Sequence, residues 1–280
     1  MRYYLTLLTA LLIVCLVQAQ QGVKPKGKLF IIGGGDRPPS LMQALVKTSG
    51  LSPKDYVVVL PMSSASPDRA YEYFKADLEP FCRNAIVNFN FTPERVNDQS
   101  WLDSLQKAKL IFITGGDQDR FMKSVQNTAV YQAIHRAYQQ GATIGGTSAG
   151  AAVMSEHMIT GHELQDTVYR STFNKLRDKN IEFKQGLGLL TTAVIDQHFI
   201  VRSRYNRLLS ALARFPSLNC IGIDEETAII VDGSVATVTG ERQVVVMKKP
   251  EEIKALETGL IKVKDMQFSI YTAGDSFQIN

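Results

Sequence analysis

Ser148 stands in Gly146-Thr147-Ser148-Ala149-Gly150, between the short apolar run Ala142-Thr143-Ile144 and the small-residue stretch Ala151-Ala152-Val153-Met154. The order reads as strand, tight turn and helix, and Gly-x-Ser-x-Gly at such a junction is a nucleophile elbow. Glycines on both sides of the serine remove Cβ atoms that so sharp a turn cannot hold. The hydroxyl is then exposed at the mouth of a sheet. The Ala149 amide, first in the following helix, points where a tetrahedral oxyanion would form. So loose a pattern also describes a small-residue loop for close strand–helix packing, and the rest of the chain must supply the partners.

A serine hydroxyl needs a general base to act as a nucleophile. The chain has four histidines. His135 falls within an amphipathic stretch from Phe121 to Gln139 and reads as a packing or helix-surface residue. His157 and His162 read as the end of the elbow helix and the loop after it. His162-Glu163 pairs two metal-ligand types, but no third ligand matches them and no metal is expected. His198 differs. It follows the strand Thr192-Ala193-Val194-Ile195, in Asp196-Gln197-His198-Phe199, at the carboxyl edge of the sheet where Ser148 also sits.

The base in turn needs an orienting carboxylate. Asp196 is two residues away, and Glu225 and Glu226 follow Ile221-Gly222-Ile223-Asp224, just past another strand end. Ser148, His198, Glu225 is not the order of the α/β-hydrolases, where the acid precedes the histidine. Asp166 and Asp196 lie between Ser148 and His198, so an esterase layout stays open until the acid on His198 is known. Gly115-Gly116 ends a neighbouring strand, and its backbone can approach a substrate closely enough to give a second oxyanion amide. Arg202, Arg204 and Arg207 follow the candidate base, with Arg204 and Arg207 three apart on one face of a helix starting near Phe199. Three guanidinium forks beside an active-site histidine suit carboxylate recognition. Gln118 adds an amide to the same rim, and Asp196 an acid for a substrate amine or guanidinium.

These groups must be carried by a sheet. Lys28–Ile32, Tyr56–Leu60, Asn84–Asn90 and Leu110–Thr114 are apolar runs, alternating with helical stretches at Leu41–Lys47, Pro67–Phe81, Trp101–Lys107 and Phe121–Gln139. That alternation predicts an α/β fold, a mostly parallel sheet sandwiched by helices. Ligands bind such sheets beyond the carboxyl ends of the strands. Three glycine-rich turns fall there: after Ile32, after Thr114 and around Ser148. Beyond Gly222 come extra short strands, including a hairpin of Ala228–Val231 and Val235–Val238 around Asp232-Gly233-Ser234.

The sequence of 280 residues is 45% hydrophobic and 21% charged, with a net charge of +4, too small and dispersed for nucleic acid. It has no Gly-Lys-Ser/Thr phosphate loop and no Cys-x-x-Cys. Met1-Arg2, the apolar run Leu5–Val17 and small residues to Ala19 form a secretory signal pattern, too short for a comfortable membrane span. The expected organisation is signal peptide 1–19, leader 20–27 and a single α/β domain 28–280, exported to the periplasm or medium, with no membrane contact after cleavage. Cys82 and Cys220 then remain and read as two separate buried thiols.

Four motifs in order resemble the cyanophycinase family of serine peptidases, which also holds dipeptidase E. They are Gly-Gly-Asp-Gln at 115–118, Gly-Thr-Ser-Ala-Gly-Ala at 146–151, Asp-Gln-His-Phe at 196–199 with the three arginines, and Gly-Ile-Asp-Glu at 222–225. The resemblance runs from about Gly33 to the C-terminus. It implies a class I glutamine amidotransferase-like fold. It implies Ser148 as nucleophile, His198 as general base, Glu225 as orienting acid, and the Ala149 and Gly115 or Gly116 amides as oxyanion hole. Gln118, Asp196, Gln197, Arg202, Arg204 and Arg207 match positions that bind the aspartate and arginine parts of substrate.

The implied substrate is cyanophycin, a poly-aspartate backbone with arginine on each side-chain carboxylate, cut to β-Asp-Arg dipeptides without a cofactor. Export departs from storage-polymer breakdown inside a cell and fits polymer released by other cells. It also leaves open another Asp-containing peptide substrate, as for a secreted aspartyl or isoaspartyl dipeptidase. A binding protein that keeps the pocket without turnover is a further reading, and a homodimer is the assembly left open.

Overall fold

The computed structural model describes residues 24–165 and 175–280; the signal segment 1–19, the first half of the leader and Asp166 lie outside these. The chain runs through β1 (Lys28–Ile32), α1 (Pro39–Ser49), β2 (Tyr56–Leu60), α2 (Pro67–Leu78), β3 (Ala85–Asn88), α3 (Gln99–Lys107), β4 (Leu110–Ile113), α4 (Gln118–Val125), α5 (Ala129–Gln140), β5 (Thr143–Thr147) and the single-turn α6 (Ala149–Ala152). It continues through β6 (His157–Glu163), β7 (Ile181–Gln185), β8 (Ala193–Asp196), α7 (Tyr205–Arg214), β9 (Asn219–Ile223), β10 (Thr227–Asp232), β11 (Val235–Gly240), β12 (Val244–Lys248), β13 (Glu252–Ala255), β14 (Ile261–Lys264), β15 (Gln267–Tyr271) and β16 (Ser276–Gln278).

Eight strands form one sheet in the order β16-β11-β10-β1-β5-β4-β2-β3. The β1, β5, β4, β2 and β3 half is parallel, and β10, β11 and β16 extend it antiparallel. Side chains alternate between the two faces of a strand, and here both directions are apolar. Leu29, Ile31, Val58, Leu60, Ile111 and Ile113 enter one core. Phe30, Ile32, Val57, Val59, Leu110 and Phe112 enter the other. Helices α1 and α2 cover the second core with Leu41, Met42, Leu45, Phe74 and Leu78. Helices α3, α4 and α5 cover the first with Leu105, Phe121, Val125, Ile134 and Ala137. Each such side chain contributes about 1.5–3 kcal/mol, which is why uninterrupted apolar strands settle in the middle layer.

A second sheet, in the order β15-β12-β9-β8, packs Ile195, Ile221, Ile223, Val244 and Val246 against the first core. Its outer face, with Val194, Cys220, Val245 and Met247, is closed by Leu208, Ala211 and Leu212 of α7. The strands that lead to His198 and Glu225 therefore belong to this smaller sheet, not to the sheet that carries Ser148. Backbone pairing explains the difference: β8 runs parallel to β9 alone, and β9 is flanked on its other side by β12.

Three further elements depart from the sequence reading. The stretch Phe121–Gln139 is two helices, broken at Asn127, which sits at φ 61°. The elbow helix is one turn long, and His157 and His162 lie on β6, paired with β7, rather than on a helix end and loop. The helix after His198 begins at Tyr205, behind a run of turns. Cys82 and Cys220 are free and buried. Among the described residues, no helix is long and apolar enough to cross a membrane.

Candidate active site

Ser148 sits between β5 and α6 with φ 54° and ψ −110°, a conformation that costs on the order of 1–3 kcal/mol and persists only where the surroundings impose it. Its amide donates to the Ile32 carbonyl of β1 at 3.1 Å. The flanking glycines are required by contact. A Cβ on Gly146 would lie 2.6 Å from the Gly150 carbonyl carbon, and one on Gly150 would run into the Ile113 carbonyl. The turn is sharp because α6 lies directly against β4 and β5.

His198 and Glu225 leave the adjacent ends of β8 and β9, where Asp196 pairs with Gly222. Phe199 N donates to Ile223 O at 3.2 Å, so the two exits stay together. The Gly33-Gly34-Gly35 turn, at the end of β1, forms the seat beneath them. Gly33 O accepts from His198 N at 2.8 Å, and Gly34 O accepts from Glu226 N at 2.9 Å. A Cβ on Gly34 would lie 2.5 Å from His198 Nε2, and one on Gly35 would lie 2.8 Å from Glu225 Cβ. This turn shows in the sequence as a glycine run at the sheet edge, with nothing to say which side chains rest on it.

On that seat His198 Nε2 is 2.9 Å from Ser148 Oγ, and His198 Nδ1 is 2.5 Å from Glu225 Oε1. With Nδ1–H donating to the carboxylate, the Nε2 lone pair faces the serine hydroxyl, which donates to it. Glu226 turns away and accepts from Arg242 Nη2 at 3.0 Å. The acid on His198 follows it in the chain, unlike the layout with an acid at Asp166 or Asp196. Burial pushes the His198 imidazole below its ordinary value near 6.5; its bond to Glu225 opposes that, while the Arg202 and Arg204 guanidiniums add to it. A neutral imidazole near neutral pH is the form able to accept a proton.

The Ala149 amide heads α6 and has no acceptor within the helix. Gly115 lies opposite: a Cβ there would be 3.4 Å from Ser148 Cβ. Ser63, fully buried, has its Oγ 3.0 Å from Gly115 O and 2.7 Å from Thr114 O. Because N–H and C=O of a trans peptide point opposite ways, an anchored Gly115 carbonyl turns the Gly116 N–H away from Ser63. Ser63 carries no motif, so sequence reasoning passes over it. Asp117 caps α4 by accepting from Arg120 N at 3.0 Å.

The rim residues are bonded to one another. Asp196 is 1% exposed and accepts from Arg207 Nε at 2.8 Å and also from Arg207 Nη2. The cation on Asp196 is thus Arg207, itself 8% exposed. Arg204 Nη1 donates to Gln197 Oε1 at 2.9 Å and Gln197 O at 2.5 Å. Gln118 Nε2 donates to Ile159 O at 3.0 Å and to Thr160 O at 2.5 Å, leaving its carbonyl oxygen for other contacts. Arg202 is exposed. His162 lies beside Asp119 and Glu182, their ligand atoms within 4.8 Å of one another. The Lys184 ammonium bonds both carboxylates there, at 3.3 Å from Glu182, and supplies positive charge. His135 Nε2 lies 2.7 Å from Leu187 O and His157 stacks on Phe215, as packing residues do.

A mostly parallel sheet flanked by helices, with a serine elbow at its carboxyl edge, defines a serine-type hydrolase of the class I glutamine amidotransferase-like fold. The chain belongs to peptidase family S51, whose family model matches residues 29–239, and it is a serine-type peptidase. It is 34% identical to a cyanophycinase of Geminocystis herdmanii over 176 residues, 62% of this chain and 56% of that protein. It is 29% identical to a cyanophycinase of Nostoc sp. over 91% of this chain and 86% of the relative. A peptidase E of Pasteurella multocida is 26% identical over 54% of this chain and 63% of its own length. Among solved structures, a peptidase from an acI-B1 Actinobacterium shares the fold, with a TM-score of 0.65 at 20% identity over 91% of this chain and 98% of that one.

Proposed function

We propose that the protein is an exported exopeptidase that hydrolyses the aspartyl backbone of cyanophycin and releases β-Asp-Arg dipeptides. The observation that carries the reading is the hydrogen-bonded series Ser148 Oγ, His198 Nε2, His198 Nδ1, Glu225 Oε1, at 2.9 and 2.5 Å. The cyanophycinases among its relatives support the substrate, and the apolar run Leu5–Val17 supports export.

In this reading His198 takes the Ser148 proton as the hydroxyl attacks the aspartyl carbonyl. The Ala149 and Gly116 amides hold the oxyanion, and Glu225 keeps the ring oriented and stabilises its protonated form. Protonated His198 hands its proton to the leaving amine. A water then attacks the acyl-enzyme, giving a proton to His198, which returns it to Ser148 as the acid product leaves. Arg202, exposed at the rim, meets a substrate carboxylate; Gln118 offers its carbonyl oxygen to a substrate amine or guanidinium, and Gln197, whose Oε1 accepts from Arg204, holds that arginine in place. Asp196 and Arg207 support this rim from within.

Incubating the purified protein with cyanophycin, and separately with Asp-X dipeptides, tests the proposal by the mass of the soluble product. Release of β-Asp-Arg by the wild type, abolished in Ser148→Ala, is expected. Turnover of Asp-X dipeptides alone would favour the secreted aspartyl dipeptidase reading that the peptidase E relative supports. Full activity in Ser148→Ala would overturn the mechanism.

A further inference from the structure

We propose that Asp224 is a positioning residue for the reaction: its carboxylate holds the turn after His198 by two successive amides, and so fixes both the base and the arginine-bearing turn behind it. The proposal rests on the Ser148–His198–Glu225 reading above. Asp224 follows β9, immediately before Glu225, and is 3% exposed. Its Oδ1 accepts from Ile200 N and from Val201 N, each at 3.0 Å. A side-chain oxygen on the free amides of a turn is the device that starts a helix, here used to join two chain segments that both leave the second sheet.

The join fixes the middle of a turn whose start is held at Gly33 and Ile223. Val201 is exposed, Ile200 packs partly buried against the core that holds Phe199, and the Phe199 ring is so close that a Cβ on Gly222 would lie 2.6 Å from its Cδ1. Arg202 N donates to His198 O at 3.2 Å and Arg204 N to Phe199 O at 3.0 Å, so movement at 200–201 reaches His198 and both arginines. A buried carboxylate is costly unless it is bonded. The two amides supply the bonds, and Arg242 Nη1, 3.9 Å from Asp224 Oδ2, supplies the opposite charge. Arg242 also bonds Glu226. Of the consecutive acids Asp224, Glu225 and Glu226, the two outer ones are thereby drawn to Arg242, and Glu225 is the one that meets His198.

The test compares Asp224→Ala, Asp224→Asn and Arg242→Ala by kcat, KM and the rate of Ser148 labelling by a fluorophosphonate, with amide hydrogen exchange on the wild type. Asp224→Ala is expected to lose about tenfold or more in kcat and to slow labelling in parallel. Asp224→Asn keeps an oxygen for the two amides, and Arg242→Ala leaves the carboxylate in place, so both are expected within about threefold of wild type. In the wild type the Ile200 and Val201 amides, both bonded to Asp224 Oδ1, are expected to exchange slowly. Wild-type kcat in Asp224→Ala, an Asp224→Asn variant as impaired as Asp224→Ala, or free exchange at both amides would each overturn the proposal. If Asp224→Ala does not fold, a folded Asp224→Asn with a loss above about tenfold does the same. Ser148→Ala and His198→Ala run alongside: activity in either refutes the triad, whereas their inactivity beside an unimpaired Asp224→Ala refutes the role of Asp224 alone.

Discussion

A Cβ on Gly34 would lie 2.5 Å from Nε2 and 2.8 Å from Nδ1 of His198, on a residue whose φ of +123° L side chains rarely adopt. Ordinary contact needs about 3.5 Å, so in Gly34→Ala the ring must retreat by roughly an ångström. The same ring holds Ser148 at 2.9 Å and Glu225 at 2.5 Å, so at least one of those bonds is lost. A displacement of about 1 Å in a reacting group costs on the order of 10²-fold in rate. The backbone strain adds about 1–3 kcal/mol, less than the ~5–15 kcal/mol by which a domain is stable, so the variant still folds. Gly50 is the control. Its φ is +59° and no atom lies within 4 Å of its added Cβ, so Gly50→Ala carries a left-handed backbone penalty, smaller than at Gly34, without the collision. The assay is release of soluble dipeptide, with melting curves on both variants. Gly50→Ala is expected to lose about 1 kcal/mol of stability and keep its kcat. Gly34→Ala is expected to lose about 10²-fold in kcat. A Gly34→Ala variant within about threefold of wild type would refute the seat beneath His198.

Arg202 lowers the proton affinity of His198, so Arg202→Ala should move the acid limb of kcat/KM to higher pH; an unmoved limb, or a shift the other way, would contradict its proximity. The same depression means His198 contributes stability above its ordinary value near 6.5 that is lost as pH falls through its lower folded value. Arg207→Ala leaves the buried Asp196 carboxylate without its main partner and should cost about 3–5 kcal/mol in chemical denaturation; unchanged stability would mean Arg207 serves substrate alone.

The elbow was legible because its signal is local: the glycines around Ser148 are demanded by contacts within four residues and with the next strand. His198 and the acids at 225–226 could be placed past strand ends, since apolar runs announce strands and turns follow them. The sheet each strand joins could not be read. Val194-Ile195 and Ile221 are as apolar as Ile111 and Phe112, and pairing partners are chosen by contacts far along the chain. For the same reason Gly34 beneath His198, Ser63 behind Gly115, and Arg207 on Asp196 carry no sequence signal of their roles. The break at Asn127 is a backbone event between two stretches that each keep helical spacing, Phe121, Met122 and Val125 before it and Val130, Ala133 and Ile134 after it. The β6 strand carries little signal, because His157–Glu163 holds one apolar pair, Met158-Ile159, and a glycine.

Ser148 is the proposed nucleophile, activated by His198 and Glu225. Labelling the wild-type protein with a fluorophosphonate and locating the adduct by tandem mass spectrometry tests this most directly. One adduct, on Ser148, is expected, forming at least about 10²-fold more slowly in His198→Ala. An adduct on another residue, or labelling of Ser148 at an unchanged rate in His198→Ala, would contradict it.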